Sequence, residues 1–459
     1  MKRKSTLAFL LSIVLLLSAC APAVPAETTE PAPQGLLAAP DYPEMAPYPD
    51  EMSFVNEKTG EFDDEGFDAV YTAWREDRKN QYDQPEGYAE GLAAFFQTSM
   101  PKFLAGQPGE NGVCSPLNLY MALALLAEVT GGETRQQVLD LLHAADITAL
   151  RTQAGHVWNA HYCADSASTC TLANSVWMDS ALTYDGSVLE TLTDSYYASA
   201  FQGDLGSPEM DAALQEWLND QTGGLLEDQI QNVHMDPATV LALASTIYYR
   251  AKWTNEFGEG ANTEDVFHGT AGDLTATYMN SCLTYGPYYW GEDFGAVSLG
   301  LEDGSKMWLV LPDESYSPED ILGSGHALEL ILGNPYESEN QKSLRVNLSL
   351  PKFDIVADRK LNDALKALGI TDAFDPAKAE FSLIRTEDDC WLDSVDHAAR
   401  VAIDEEGVTA AAYTVMLTCG AAMPPEEEMD FILDRPFLFV ITSRDNLPLF
   451  AGVVNQLGS

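Results

Sequence analysis

The spacing of apolar residues changes along the chain. In the first half, apolar positions recur every three or four residues, which predicts amphipathic or buried helices. Later segments are short apolar runs bounded by glycine, proline or charged residues, and these predict strands. The predicted helices cover 67–78, 89–104, 117–129, 133–143, 211–222 and 361–368, and the predicted strands cover 172–178, 240–250, 307–311, 344–350, 400–403, 431–433, 437–442 and 448–454. Because helices come mainly first and strands mainly last, the pattern predicts an α+β fold and not alternating βαβ units.

Residues 404–425 interrupt this pattern. Charged residues make up 21 % of the chain, yet none occurs between Val408 and Pro425. Taken with a period of two, both faces of this stretch carry small, apolar or uncharged residues, which suits a strand inside a sheet. Its boundaries, Gly407 and Pro424-Pro425, are instead typical of a loop. The segment therefore has the composition of a buried strand and the boundaries of a loop.

Composition narrows the function classes. The formal net charge is −47, and such an acidic surface repels phosphate backbones, so we exclude nucleic acid as a partner. No GxSxG, HExxH, P-loop or GxGxxG motif is present, and we do not expect an enzyme. His156 and His161 lack an obvious third ligand, and the cysteines form no CxxC pair. We therefore expect neither a metal site nor a cofactor.

The N-terminus carries the features of an export signal. Lys2-Arg3-Lys4 precedes an apolar stretch, 7–17, that is too short to span a membrane. Leu17-Ser18-Ala19-Cys20 resembles a bacterial lipobox, which implies a lipoprotein signal peptide over 1–19 and a lipid on Cys20. The alternative is an ordinary secretory signal with a chance cysteine.

The mature chain is expected to lie outside the cytoplasm, on a bacterial cell surface, with the lipid on Cys20 as its membrane anchor. Residues 20–40 are expected to form a disordered tether. Residues 41–86 are expected to form an acidic N-terminal extension, and residues 87–459 the main domain. In an exported protein Cys163 and Cys170 are near enough in sequence to form a disulfide, and the sequence leaves their pairing open.

Several short motifs lie in order along residues 87–459. They are Ser115-Pro116 at the start of an apolar helix, Asn174-Ser-Val-Trp177, Tyr248-Tyr-Arg-Ala-Lys-Trp253, Leu350-Pro-Lys-Phe353, Leu368-Gly-Ile-Thr371, Phe431-Ile-Leu-Asp-Arg-Pro-Phe-Leu-Phe-Val-Ile441 and Pro448-Leu-Phe-Ala-Gly-Val-Val-Asn455. Together they resemble the serpins, the serine-protease-inhibitor superfamily. One motif of this kind would be weak evidence, whereas several in the right order and over the right length are specific.

The resemblance implies an α+β serpin fold of three β-sheets with about nine helices and an exposed reactive-centre loop. Residues 404–425 would then be a loop before cleavage and a strand afterwards, which resolves the conflict in their pattern. By position, the resemblance also assigns a hinge and the gate through which the loop enters. The hinge residues are Glu405, Glu406, Gly407, Val408, Thr409, Ala410, Ala411 and Ala412, and the gate residues are Ser115, Asn118, Ser245, Trp253 and His397.

The resemblance further implies an inhibitor of extracellular serine proteases that traps its target by inserting the cleaved loop as a strand. Spacing from the hinge places the reactive bond between Ala421 and Ala422, while Gly420–Ala421 and Cys419–Gly420 stay open as alternatives. Alanine suits a shallow primary pocket, so elastase-like targets are expected, with subtilisin-like proteases as the alternative. The alternative function is a non-inhibitory serpin-fold lipoprotein with a binding or chaperone role.

Three details depart from common serpin patterns. Val408 stands where the family often has Thr or Ser. Asn118 stands where relatives often have serine, and Ser245 where they often have asparagine, so that these two polar side chains are exchanged. Basic helices are missing, because Arg151 is the only Lys or Arg between residues 139 and 182. We therefore expect no heparin binding, and we expect a monomer.

Overall fold

Local sequence explains where two of the helices begin. The Ser115 hydroxyl accepts the backbone N–H of Asn118, and Pro116 occupies the first turn, where the helix needs no N–H donor. Ser207 and Pro208 start a second helix in the same way.

The computed structural model describes residues 33–56, 58–106, 109–165, 168–184, 186–237, 239–381, 384–385, 390–392, 395–408 and 427–457. Within these ranges the α-helices are α1 Asp64–Tyr82, α2 Leu92–Leu104, α3 Pro116–Val129, α4 Gly132–Leu141, α5 Ile147–His161, α6 Gly186–Tyr196, α7 Pro208–Gln221, α8 Glu227–Ile230, α9 Pro318–Ser324, α10 His326–Leu332 and α11 Asn362–Ala367. In the part of the chain so described, no helix is both long enough and apolar enough to cross a membrane.

The strands of the described residues alternate with these helices in the first half and dominate the second. They are β1 Leu36–Ala38, β2 Gly112–Cys114, β3 Cys163–Ala164, β4 Thr169–Asp179, β5 Thr183–Tyr184, β6 Ala198–Gly203, β7 Leu241–Lys252, β8 Thr263–Gly269, β9 Gly272–Trp290, β10 Phe294–Gly300, β11 Lys306–Pro312, β12 Gln341–Pro351, β13 Phe353–Lys360, β14 Ile384–Arg385, β15 Asp396–Ile403, β16 Gly407–Val408, β17 Glu428–Ile432, β18 Phe437–Thr442 and β19 Pro448–Val454.

The predicted α+β fold is confirmed. The described ranges hold eleven α-helices, where about nine were expected. The strands there form a first sheet in the order β1-β6-β4-β7-β16-β15-β13, with β3 beside β4. A second sheet has the order β17-β12-β9-β10-β11-β18-β19-β2, with β8 beside β9, and β14 pairs with β5. The 19-residue strand β9 pairs with β8, β10 and β12, and so joins their ladders into one sheet.

Helix α3 lies at the centre of the core. Every residue of α3 except Ala122 is buried, and the helix packs against β7 of the first sheet and β19 of the second. Its continuous apolar composition is typical of a helix surrounded on all sides. The first sheet therefore rests on α3, so that any side chain on the inner face of β7 points toward this helix.

Some elements have no clear sequence signal. The segment 263–300 holds β8, β9 and β10, none of which the apolar pattern predicts. Strand β8 shows why, because four of its seven residues in succession are exposed at the edge of a sheet, and three of these four are polar. Such an edge strand is fixed by its neighbour and not by its own hydrophobic period.

The N-terminal extension packs on the main domain. Strand β1 pairs with β6 at the edge of the first sheet, so ordered structure begins before the predicted end of the tether at residue 40. The Tyr42 ring stacks on the rings of Trp158 and Tyr162, with centroids 5.5 Å apart in each case. The described residues from Gln34 onward form one compact unit.

A buried ion pair anchors helix α1 to this unit. Arg78 pairs with Asp165, and Trp74 donates its indole N–H to the same carboxylate at 3.2 Å. Both partners of the pair are buried. The hairpin that carries Asp165 also places Cys163 directly opposite Cys170, and both cysteines are free thiols.

Candidate functional site

The hinge returns to the first sheet directly after strand β15. The chain turns at Asp404, whose carboxylate accepts the backbone N–H groups of Glu406 and Gly407 at 2.9 and 3.1 Å. It then runs back as β16 between two strands of the sheet. In the β16 ladders Val408 lies opposite Ile403 on one side and Ala251 on the other. The first two residues beyond the turn are thus already part of the sheet.

Gly407 is required by a close approach of two backbones. A Cβ atom at this position would lie 2.3 Å from the carbonyl oxygen of Ala251. Gly407 is not among the glycines with positive φ, so backbone freedom is not the reason for a glycine here. Any side chain would push β16 away from β7.

Beyond Val408, strands β7 and β15 are not paired with each other. The ladders of the described residues connect β7 to β15 only through Gly407 and Val408. Beside β16 the inner-face residues Tyr249 and Ala251 of β7 are buried, whereas Leu243, Ser245 and Ile247 further along the same face are only partly covered. We call this opening, bounded by β7 and β15, the slot.

A segment after helix α7 covers the outer face of the slot. Gly223 lies against the ring of Tyr248 on β7. On the opposite side Arg400 of β15 donates to the carbonyl of Leu225 at 2.9 Å and binds both carboxylate oxygens of Asp354. A cavity of about 750 Å³ separates this segment from β13 and β15. A strand that enters the slot would therefore pass beneath the segment.

Glu405 fixes the turn at the mouth of the slot. Its carboxylate is 12 % exposed and lies 2.6 Å from the Lys352 ammonium, and Asn262 donates a second hydrogen bond to it. Burial raises the pKa of Glu405, but the hydrogen bonds from Lys352 and Asn262 outweigh it and leave the pKa below its ordinary value. The carboxylate is therefore held in its ionised form.

Trp253 completes the mouth of the slot. Its indole N–H donates to the carbonyl of Asp404 at 2.8 Å, and its backbone N–H donates to the carbonyl of Glu406 at 2.9 Å. The side chain is buried. Both hydrogen bonds hold the turn against the end of β7.

Replacing Glu405 with glutamine is expected to lower the free energy of unfolding by about 1–2 kcal/mol, because a charge-assisted hydrogen bond to Lys352 becomes a neutral one. Urea unfolding measures this loss. Glu406→Gln is the matched control, since Glu406 forms no ion pair within the described ranges. Equal losses for the two variants would show that the Lys352 contact does not hold the turn.

Four of the five predicted gate residues meet at the inner face of the slot. The backbone N–H of Ser115 donates to His397 Nε2 at 3.0 Å. Asn118 donates its side-chain N–H to the carbonyl of Ser245 at 3.0 Å, and its Oδ1 is within hydrogen-bond distance of the Ser245 hydroxyl. The exchanged side chains of Asn118 and Ser245 therefore bond to each other. The network connects α3, β7 and β15.

Sequence reasoning missed three residues of this region. Asn174 of β4 joins the network, because its Oδ1 lies 2.8 Å from the Ser245 hydroxyl. Lys352 and Asn262 hold Glu405. Asn174 and Lys352 belong to the quoted motifs. The available signal was a polar side chain within the apolar strand β4 for Asn174 and a lysine between the apolar strands β12 and β13 for Lys352, whereas Asn262 gave none.

His397 is held as a neutral ring. It is buried on the inner face of β15, and Nε2 accepts the Ser115 N–H, which requires that nitrogen to be unprotonated. Burial lowers the pKa of His397 to about 4.

Acid is expected to destabilise the folded protein through His397. Between its ordinary pKa of 6.5 and the lowered value of about 4, the unfolded chain binds a proton that the folded chain does not. The contribution of His397 is therefore complete above pH 6.5 and falls as the pH drops to 4, by about 3 kcal/mol. Urea unfolding across this range checks it. His397→Gln should lose this part of the slope, the exposed His234→Gln should keep it, and an unchanged slope in His397→Gln would contradict the assignment.

Other predicted site residues lie outside the described ranges. They are the lipidation residue Cys20, the hinge residues Thr409, Ala410, Ala411 and Ala412, and the reactive bond Ala421–Ala422. Among the residues that are described, no group of three or more His, Cys, Asp or Glu could hold a metal ion.

Comparison with known proteins identifies the family. The model of the family "Serpin (serine protease inhibitor)" matches residues 91–457. Serpin-Z2B of Triticum aestivum is 30 % identical over 372 residues, which cover 76 % of this chain and 90 % of that protein. Serpin-ZX of Arabidopsis thaliana is 26 % identical over 371 residues, which cover 75 % and 91 %. The native structure of the thermophilic serpin tengpin superposes with a TM-score of 0.72 at 26 % identity, covering 82 % of this chain and 95 % of that chain. This chain belongs to the serpin family of serine protease inhibitors.

Proposed function

We propose that this protein inhibits extracellular serine proteases by trapping them on its reactive-centre loop, within residues 404–425. The observation that carries the proposal is the position of β16, which fills one end of the slot between β7 and β15 with the hinge residues Gly407 and Val408. A strand that continued from Val408 would form ladders on both sides. Membership of the family supports inhibition in general, and the open slot supports the inhibitory over the non-inhibitory kind.

The chemistry belongs to the protease. Its serine hydroxyl attacks the carbonyl carbon of Ala421, the peptide bond to Ala422 breaks, and the new amine leaves with a proton from the protease. An ester then joins the protease to Ala421. The inhibitor contributes no acid, base or nucleophile. It contributes the free energy of the new ladder hydrogen bonds, which pulls the ester-linked protease along the sheet before water can release it.

The residues at the reactive bond favour proteases with a shallow primary pocket. Ala421, on the acyl side of the bond, fills such a pocket without a charge or a ring, so elastase-like proteases are the proposed targets and subtilisin-like proteases the second choice. A substitution tests whether Ala421 sets the target class. Ala421→Arg should redirect the inhibitor toward proteases with an acidic primary pocket.

Incubation with pancreatic elastase tests the proposal. The expected result is a covalent complex that survives SDS, with a released C-terminal fragment that begins at Ala422. Mass spectrometry of that fragment also distinguishes the neighbouring bonds. Complete cleavage without a complex, for elastase-like and subtilisin-like proteases alike, would favour the non-inhibitory role.

We also propose that the domain is anchored outside the cytoplasm through a lipid on Cys20. The lipobox-like residues before Cys20 support this assignment. Cys20→Ser should move the protein from the membrane fraction to the soluble fraction of the exporting cell. Retention of the variant in the membrane fraction would overturn the anchor.

A further inference from the structure

Two cysteines face each other across a short hairpin. Cys163 of β3 lies directly opposite Cys170 of β4, and both are buried free thiols in this structure. Residues directly opposite in an antiparallel pair have Cα atoms about 4.5–5.5 Å apart and side chains on the same face of the sheet. A disulfide spans about 4.4–6.8 Å between its Cα atoms. The hairpin therefore holds the two cysteines at a separation that a disulfide bridges.

The other cysteines on the strands of the described residues have no cysteine opposite them. Cys114 of β2 lies opposite Ala451 in its ladder. Cys282 of β9 lies opposite Asn347. The register of the sheets thus singles out the pair in the hairpin of β3 and β4.

The two cysteines flank the turn that binds helix α1. Within this turn Asp165 pairs with Arg78 of α1 and accepts the indole N–H of Trp74. The Asp165 carboxylate also accepts the backbone N–H of Ser168 at 2.9 Å. The N-terminal extension therefore contacts the first sheet here through a buried charge, and a bond that fixes the turn also fixes the docking of α1.

Ser168 lies beside the Cys163 thiol in this structure. Its hydroxyl oxygen is 3.1 Å from the Cys163 sulfur, 3.3 Å from Arg78 Nη1 and 3.4 Å from the Asp165 carboxylate. If Cys163 exchanges the contact with Ser168 for a bond to Cys170, the hydroxyl keeps its other two partners. Oxidation therefore leaves the buried Ser168 hydroxyl paired, which avoids the cost of an unsatisfied polar group.

We propose that Cys163 and Cys170 form a disulfide when the chain folds in the presence of a disulfide oxidant, and that this bond clamps the turn that binds α1. The thiolate of one cysteine attacks a sulfur of the oxidant and releases one thiol. The thiolate of the other cysteine then attacks the mixed disulfide, which forms the bond between the two cysteines and releases the second thiol. The protein loses two electrons and two protons, and the oxidant gains both.

Burial determines when this bond forms. Cys163 is 3 % exposed and Cys170 is 4 % exposed, so a small oxidant reaches them before the hairpin is packed and not afterwards. Burial also raises the pKa of Cys163 to about 11 and the pKa of Cys170 well above its ordinary value, which leaves little of the reactive thiolate in the folded protein. The same burial protects the finished disulfide from small reductants.

Refolding of the full chain in oxidised glutathione tests the inference. The reduced, unfolded protein is refolded with this oxidant, alkylated, and digested without reduction by an endoproteinase that cleaves before aspartate. Asp165 is the only aspartate between the two cysteines, so the cut leaves two peptides that only the disulfide joins. We expect one linked species that reduction separates. Two separate alkylated peptides, or a link from either cysteine to a third one, would overturn the assignment.

The same oxidant added after folding tests the role of burial. The reduced protein is folded first and then exposed to oxidised glutathione under the same conditions. The bond between Cys163 and Cys170 should form at least about tenfold more slowly than during refolding. Equal rates in the two experiments would overturn the inference that the bond is made during folding.

The clamp is measured by comparing protein refolded with and without the oxidant. In the wild type the disulfide should lower the equilibrium constant for unfolding in urea by on the order of fiftyfold, because it closes a short loop in the unfolded chain. Trypsin cleavage after Arg75, which is exposed on α1, should slow by about fivefold or more.

Alanine variants identify the cysteines responsible for these differences. Cys163→Ala and Cys170→Ala should each abolish both differences, whereas the matched Cys114→Ala, also at a buried cysteine, should keep them. Because each comparison is made within one variant, the packing lost at the substituted site cancels. Equal unfolding and equal cleavage of the two wild-type forms, or differences that persist in Cys163→Ala, would show that this disulfide does not clamp the turn.

Discussion

Replacing Ala410 with glutamate is expected to turn the protein from an inhibitor into a substrate. Ala410 follows Val408 by two residues, so the β16 ladders would place it on the inner face, opposite Tyr249 and Val401. Both of these residues are buried. A carboxylate there must lose its water or its charge, at a cost of several kcal/mol. If the barrier to insertion rises by that amount, hydrolysis of the ester becomes faster than insertion by a factor of ten or more.

The measurement is the amount of inhibitor consumed for each protease molecule inactivated. Thr409→Glu is the matched control, because Thr409 would face outward beside Arg250 of β7, where a carboxylate gains a partner. We expect Thr409→Glu to trap as well as wild type and Ala410→Glu to be cleaved with little complex. Equal trapping by the two variants would show that the loop does not enter between β7 and β15.

Elements with a strong local signal could be predicted from the sequence. Strands β18 and β19 are continuous apolar runs in a buried sheet, and their predicted bounds agree with the structure. Helix α3 has both a serine cap and an apolar interior. In these cases the residues that define the element also bury it, so the prediction needs no knowledge of the partner strands.

Contacts between distant parts of the chain could not be predicted in this way. The ion pair of Glu405 with Lys352 and the pairing of Arg78 with Asp165 each join segments that only the folded chain brings together. The same is true of the short strand β16. Two residues are too few to show a hydrophobic period, so the sequence does not indicate that they lie between β7 and β15. The family resemblance identified the gate residues but not Asn174, whose Oδ1 lies 2.8 Å from the Ser245 hydroxyl.

Cleavage of the loop at Ala421 is expected to raise the free energy of unfolding by on the order of 10 kcal/mol. Beyond Val408, about ten residues could continue the two ladders of β16 along β7 and β15, and each new backbone hydrogen bond contributes about 1 kcal/mol net. Burial of the half-covered residues Leu243 and Ile247 adds to this gain. The measurement compares guanidinium unfolding of the intact and the cleaved protein, in which the midpoint should move to a much higher concentration.

Ala410→Glu supplies the control for this gain, because cleavage of that variant leaves a strand that cannot bury its charge. Its stability should change little on cleavage, although the same bond has been cut. A rise of the same size in both proteins would mean that release of the loop, and not its insertion, stabilises the fold. No rise in the wild type would mean that the slot stays open after cleavage, so that a protease attached at Ala421 would have nothing to pull it from its active geometry.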